Sequence, residues 1–284
     1  MFRKEEICWR FDVKKQFWSV PKGEHHLKDV KALNALIFQH SAWRPVHVAA
    51  KMGLLPFFQR VKQTNALTKL MQLASQPEQK YPLHIAIENQ HIDLVRYMLE
   101  NDDFSISITD VKGQNALHYA ADTSGPMIQL LCYRPEAKDC LNRLNNDGYT
   151  PFFLSVVRCR PSCIATFQKY DAVLNILCQG RSPLHEAMLQ NNNKVKDVIK
   201  TLVDASPKIV NESDPITGDT AIHWATNKLS LSAFLEMCSS SVDLNAVNKT
   251  GQTALHRHTF RGDLGCLVCL ASYGADQGKL KFKN

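Results

Sequence analysis

Apolar and polar positions follow two different periods along this chain. Over Ile92-Asp93-Leu94-Val95-Arg96-Tyr97-Met98-Leu99 the apolar side chains return every three to four residues, which predicts a helix with one buried face. Leu27, Val30, Leu33, Leu36 and Ile37 give the stretch from His26 to His40 the same stripe, and Ala66–Ala74 predicts a short helix ending at Pro77. Between Ile7 and Val20 the pattern is nearer to alternation, with Trp9, Phe11, Phe17 and Trp18 among charges. That predicts a short hairpin folding onto the first of the helices. No apolar run approaches the roughly 18 residues of a membrane span; Met52–Phe58 and Gly265–Ala271 reach about seven.

The helical segments belong to a repeat. Pro82-Leu83-His84, Pro183-Leu184-His185 and Ala116-Leu117-His118 are near copies. Pro45-Val46-His47, Ala221-Ile222-His223 and Ala254-Leu255-His256 are variants, and Pro151-Phe152-Phe153 puts Phe153 where the histidine stands elsewhere. Successive anchors at 47, 84, 118, 153, 185, 223 and 256 lie 37, 34, 35, 32, 38 and 33 residues apart. Two residues past the anchor a small side chain recurs: Ala49, Ala86, Ala120, Ser155, Ala187 and Ala225. The seventh repeat is less regular, with Thr259 three past His256. Turn signals precede several anchors, as in Asp110–Gly113, Asn146-Asp147-Gly148 and Asn248–Gly251. Thr150, Ser182 and Asn115 are placed to cap the first helix, with Pro151 and Pro183 at its first position.

A period near 33 with T-P-L-H-x-A resembles the ankyrin repeat. The resemblance implies an all-α solenoid of about seven helix-turn-helix repeats with β-hairpin turns. It divides the chain into an N-terminal flank and capping helix over 1–40, an array over 41–276 and a basic tail over 277–284. The repeats fall near 41–70, 78–108, 112–144, 145–177, 179–213, 217–248 and 250–276. Ser206–Pro215 is an insertion accounting for the spacing of 38. Within this frame Leu83, Leu117, Leu184 and Leu255 point inward. Each histidine bridges the turns of neighbouring repeats, so His47, His84, His118, His185, His223 and His256 form a structural series, one per repeat and about 10 Å apart, rather than a ligand set.

Composition narrows the function. The chain of 284 residues is 44% hydrophobic and 21% charged, as a globular protein is, and its net charge of +7 invites a nucleic-acid reading. Residues 1–31 carry +3 and 277–284 another +3, leaving +1 over 32–276, so the body offers no field for a phosphate backbone and nucleic acid is not an expected partner. The N-terminus lacks the apolar stretch of a signal peptide, and nine cysteines without one fit free thiols in the cytoplasm. Cys266-Leu267-Val268-Cys269 read alone is half a zinc site, but no second pair accompanies it. The repeat aligns Cys266 and Cys269 with Leu94 and Tyr97 on a buried helix face, and neither metal nor cofactor is expected. Arg158, Arg160 and Arg181 read as a solvated polar face, and Trp43 and Trp224 as packing in the stack.

One ankyrin family is resembled more closely. His40-Ser41-Ala42-Trp43 leads into Pro45-Val46-His47-Val48-Ala49-Ala50-Lys51-Met52-Gly53. Asp214-Pro215 precedes Gly218 and Ile222-His223-Trp224-Ala225, and Pro183-Leu184-His185-Glu186-Ala187-Met188 fits the same pattern. Over roughly 25–276 these features resemble the N-terminal half of the group VI calcium-independent phospholipase A2, a patatin-like lipase. That family's hydrolase half uses a G-x-S-x-G elbow, an aspartate in D-G-G or D-G-A and a glycine-rich oxyanion loop. None occurs here; the lone Asp-Gly, Asp147-Gly148, sits in a repeat turn, so no catalytic residue is carried over. The resemblance implies a non-catalytic interaction or regulatory module that binds protein partners, or itself, through the ankyrin surface. The alternative is a piece of an active phospholipase hydrolysing the sn-2 ester of glycerophospholipids. After Asp276 the array is expected to stop without a polar capping repeat, and if a further repeat or domain normally stacks there, apolar surface of the seventh repeat is left open. Lys279, Lys281 and Lys283 suggest at most peripheral contact with an anionic membrane.

Overall fold

Several repeats begin where a polar side chain in extended backbone meets the first helical turn. The hydroxyl of Thr150 accepts the amide hydrogen of Phe153 at 3.1 Å, and that of Ser182 accepts from His185 at 3.4 Å. Asn115 accepts from Leu117 and His118 at 3.0 and 3.1 Å. Pro151 and Pro183 then occupy a position whose amide has no helical partner to lose. In the computed structural model residues 10–12, 17–19, 45–63, 72, 74–75, 77–100 and 105–277 are described.

Strands β1 (Arg10–Asp12) and β2 (Phe17–Ser19) form an antiparallel hairpin with Phe11 opposite Trp18, within the alternating stretch. The helix expected over His26–His40, Trp43, the hairpin's docking, most of the helix over 66–74 and the lysine tail lie outside the described residues. Seven helix pairs are present among the described residues: α1 (Pro45–Met52) with α2 (Leu55–Gln63), α3 (Pro82–Glu88) with α4 (Ile92–Leu99), and α5 (Ala116–Ala120) with α6 (Gly125–Cys132). A short α7 (Ala137–Leu141) closes the third repeat. Then come α8 (Pro151–Val157) with α9 (Pro161–Lys169), α10 (Pro183–Leu189) with α11 (Val195–Ala205), α12 (Ala221–Trp224) with α13 (Lys228–Cys238), and α14 (Ala254–Arg261) with α15 (Leu264–Ser272). The stretch read as an insertion at 206–215 contains a 3₁₀ turn, Pro207–Asn211, that buries Val210.

First helices pack on first helices and second on second from end to end, giving the two-layer ankyrin solenoid. Because no repeat can bury its apolar stripe alone, the core is one continuous cluster running from Val46 to Ala275. Small residues set the spacing between first helices: Ala49, Ala86, Ala120, Ala187 and Ala225 are fully buried. The hairpin turns reduce to tight loops with isolated bridges at Cys178↔Arg181, Ser213↔Thr220 and Val247↔Thr253. Gly113, Gly148, Gly218 and Gly251 turn the chain there at φ between 71° and 76°, a region costly for any residue with a Cβ. Among the described residues no helix is long and apolar enough to cross a membrane.

Candidate interaction surface

Four of the turn tips are built alike, by an Asp or Asn side chain that accepts amides two to four residues on. Asp110 Oδ1 accepts the amides of Lys112 and Gln114 at 2.9 and 2.7 Å, and Asn145 does so for Asp147 and Tyr149 at 3.0 and 2.9 Å. Asp214 holds Ile216 and Thr217 at 2.9 and 2.7 Å, and Asn248 holds Thr250 and Gln252 at 3.0 and 2.9 Å. Neighbouring tips are tied by the main chain: Val111 N–H to Glu78 O, Asn146 N–H to Lys112 O and Lys249 N–H to Thr217 O. The backbone spends its polar groups on the frame, which leaves the tip side chains to face outward.

The anchor histidines supply the second tie. Their Nε2 atoms face carbonyl oxygens at or beside the turn leading into the next repeat: His84 to Ile108 at 3.1 Å, His118 to Tyr149 at 3.0 Å, His185 to Asp219 at 2.9 Å and His223 to Gln252 at 3.1 Å. A carbonyl only accepts, so the proton is on Nε2 and Nδ1 is left to accept from the cap. The hydroxyls of Ser182, Thr220 and Thr253 stand 2.6, 2.9 and 2.8 Å from the Nδ1 atoms of His185, His223 and His256. Burial pushes His84 and His118 down to about 4, against which the carbonyl hydrogen bonds act only in part. His47 and His256 are also buried, and Phe153 takes the anchor place with its ring stacked on Tyr149 at 5.5 Å. Leu83, Leu117, Leu184, Leu255, Cys266 and Cys269 are all at most 4% exposed. Burial also raises the thiols, Cys163 to about 11 and Cys266 to about 12, so the reactive thiolate is scarce.

Two places on the tip-and-first-helix face carry more than the frame requires. A groove of about 230 Å³ runs between the second, third and fourth repeats, lined by Glu78, Lys80, Glu88, Lys112, Gln114, Tyr119, Asp122 and Arg158. Lys80 pairs with Glu78 and Glu88 at 3.2 and 3.1 Å and lies 5.6 Å over the Tyr119 ring, whose hydroxyl donates to Asp110 at 2.8 Å. Farther along, Arg181 and Arg257 lie 5.9 and 6.0 Å over the half-buried Trp224. Trp224 Nε1 donates to Asp214 Oδ2 at 3.3 Å, Arg181 pairs with Glu186 at 2.9 Å, and Arg257 pairs with Asp219. Burial raises Asp214, but hydrogen bonds from Thr217, Trp224 and Ile216 outweigh it and hold the carboxyl at about 2. The solvated reading of Arg181 is therefore corrected: its side chain is 18% exposed, held between a carboxylate and an indole. Arg158 and Arg160 are the more open pair, 3.8 and 2.9 Å from Asp122.

The tips also expose apolar side chains that do nothing for the turn. Val111 and Ile216 are 51% and 69% exposed at the tips of the third and sixth repeats, and Val247, just before the turn-forming Asn248, is 57% exposed. At the two tips the signal in the sequence was an apolar residue between a turn-forming Asp and its glycine, as in Asp110-Val111-Lys112-Gly113.

Comparison with known proteins agrees with this frame. Residues 46–140 match the family of ankyrin repeats in three copies, and residues 179–212 match a further ankyrin repeat. Among solved structures the fold is similar to the ankyrin repeat domain of Bcl-3, with a TM-score of 0.63 and 22% identity over 81% of this chain and 98% of that one. The human ASB11 ankyrin repeat domain gives 0.56 at 15% identity over 69% and 85%. The chain therefore carries ankyrin repeats over these segments and has the ankyrin-repeat fold. Its array is similar to part of the intracellular phospholipase A2 of Caenorhabditis elegans, 29% identical over 247 residues, and of the 85/88 kDa calcium-independent phospholipase A2 of Mus musculus, 25% identical over 248. The alignments take in 81% and 86% of this chain but 22% and 29% of those proteins, so the chain spans about a quarter of the length of these relatives.

Proposed function

We propose that this chain is a protein-interaction and regulatory module of a calcium-independent phospholipase A2-like protein, binding a protein partner along its tips and first helices and performing no hydrolysis itself. The observation that carries the reading is the exposure of Val111 and Ile216 on tips whose amides are already hydrogen-bonded, with Val247 exposed beside the last turn. Apolar side chains on a rigid frame, flanked by the Lys80–Tyr119 and Trp224–arginine clusters, give a partner both area and polar register. Partner contact with the array rather than with nucleic acid fits the +1 charge of residues 32–276.

The test pairs binding with chemistry. Val111→Asp with Ile216→Asp should melt with the wild type, yet lose at least tenfold of the affinity for a partner protein identified by co-purification. Equal affinity of the variant would contradict the reading. The purified chain should release no fatty acid from phospholipid vesicles, and release abolished by a serine-directed inhibitor would favour the alternative, a functional phospholipase unit. The two phospholipase relatives are what keep that alternative in view.

A further inference from the structure

Two residues past the anchor, six repeats carry a small side chain and the seventh carries His258. The imidazole is fully buried against the sixth repeat, where its Nε2 lies 3.1 Å from the carbonyl oxygen of Ile222. That carbonyl can only accept, so Nε2 holds the proton and Nδ1 presents a lone pair. Nδ1 has no hydrogen-bond partner; Asp263 Oδ2 stands 3.7 Å away, one acceptor facing another. The other carboxylate oxygen, Oδ1, accepts the amide of Cys266 at 3.2 Å as the cap of α15, which fixes Asp263 in this orientation. Nδ1 of His258, a carboxylate oxygen of Asp263 and the buried Sγ of Cys266 all lie within 4.8 Å of one another.

An unpartnered buried acceptor opposite a carboxylate lacks a positive charge between the two. We propose that His258, Asp263 and Cys266 form a binding site for one zinc-class divalent cation that clips α14 to α15 in the seventh repeat.

The donor set selects the class of ion. One imidazole nitrogen, one carboxylate oxygen and one thiolate suit Zn²⁺, Co²⁺ or Ni²⁺, whereas Mg²⁺ and Ca²⁺ take oxygen alone. Around tetrahedral zinc, with bonds of about 2.0–2.3 Å, donor atoms stand about 3.3–3.8 Å apart. The Nδ1–Oδ2 separation is already in that range, and the sulfur, within 4.8 Å of both, has about 1 Å or less to close. The hydrogen bond from Nε2 to a backbone carbonyl is the outer support that metal-bound histidines ordinarily have. Binding replaces the thiol proton of Cys266, which leaves to solvent, with the metal–sulfur bond. Asp263 is a quarter exposed, which opens the site to water and leaves the fourth position to it. Cys269, although it shares the Cys-x-x-Cys spacing, is not among these donors.

The test uses Co²⁺ as a spectroscopic probe on the purified, reduced, chelator-treated chain. One equivalent should give thiolate-to-cobalt charge transfer and the visible bands of a tetrahedral ion, displaced by one equivalent of Zn²⁺. His258→Ala restores the small residue of the other repeats, so it should fold, and it should weaken binding at least tenfold. Cys266→Ala should remove the charge-transfer band, and Cys269→Ala should keep it. Zn²⁺ should raise the melting temperature of the wild type and not of His258→Ala. No cobalt spectrum, an undiminished one in His258→Ala, or one that disappears with Cys269→Ala would each overturn the proposal.

Discussion

His185 and Asp219 are joined across a repeat boundary: Nε2 of the histidine donates to the aspartate's main-chain carbonyl at 2.9 Å. The Ser182 hydroxyl completes the ring's hydrogen bonds at Nδ1, 2.6 Å away. The side chain of Asp219 meanwhile accepts from Asn248 at 2.8 Å and pairs with Arg257, so one short segment connects three successive repeats. His185→Ala leaves a buried carbonyl without its donor, and it should cost about 1–3 kcal/mol in chemical denaturation. A cost within about 0.5 kcal/mol would mean that the bridge is dispensable.

Leu117 and Lys112 are five residues apart and differ in kind. Leu117 is fully buried in the third repeat, whereas Lys112 is exposed at a tip whose contacts are made by its backbone. Leu117→Ala should cost about 2–5 kcal/mol. Lys112→Ala should stay within about 0.5 kcal/mol, and comparable losses would place the register wrongly.

Stability should fall as the solution is acidified from about pH 6.5 towards pH 4. His84 and His118 are held at about 4 by burial, against 6.5 for a free imidazole. Above pH 6.5 both are neutral folded and unfolded, and their contribution is complete. Below it the unfolded chain takes up protons that the folded chain refuses, until the folded rings also titrate near pH 4. Each shift is worth roughly 3 kcal/mol across that window. Replacing His84 and His118 by Gln should flatten the pH dependence of the denaturation midpoint between pH 6.5 and 4; an unchanged slope would assign it elsewhere.

The repeat frame was legible because each of its parts is local. A cap, a proline, an inward leucine and an anchor lie within four residues, and the 35-residue recurrence makes each copy support the others. Thr150, Ser182 and Asn115 could be read as caps for that reason. Ala137–Leu141 was not read as a helix, because five residues are too few to show a period. Arg181 read as solvated because its partners Glu186 and Trp224 are brought to it by folding, one from the next helix and the other from the next repeat. The tip residues Val111 and Ile216 are not specified by the turn, which is set by Asp110, Asp214 and the glycines and tolerates any side chain between them. His258 was not singled out in the sequence, where the seventh repeat was only less regular, because its meaning depends on Asp263 and Cys266 meeting it in space.

The seventh repeat carries a second departure. Phe260, near the end of α14, and Leu264 and Val268, one turn apart on α15, are 89%, 73% and 64% exposed. Large exposed apolar side chains of this kind favour association. Light scattering across concentration should show self-association that falls when Phe260→Ser, Leu264→Gln and Val268→Gln are combined. Equal scattering by the triple variant would remove these side chains as its cause.

The central claim is that a protein partner lies along the tips, and cross-linking mass spectrometry with an amine-reactive reagent measures this most directly. Lys112 and Lys249 sit on tips of the third and seventh repeats, while Lys169, Lys196 and Lys200 are exposed on the second helices behind them. Cross-links from a bound partner should gather on Lys112 and Lys249 and be lost in the Val111→Asp, Ile216→Asp variant. Cross-links confined to Lys169, Lys196 and Lys200, and insensitive to that variant, would contradict the account.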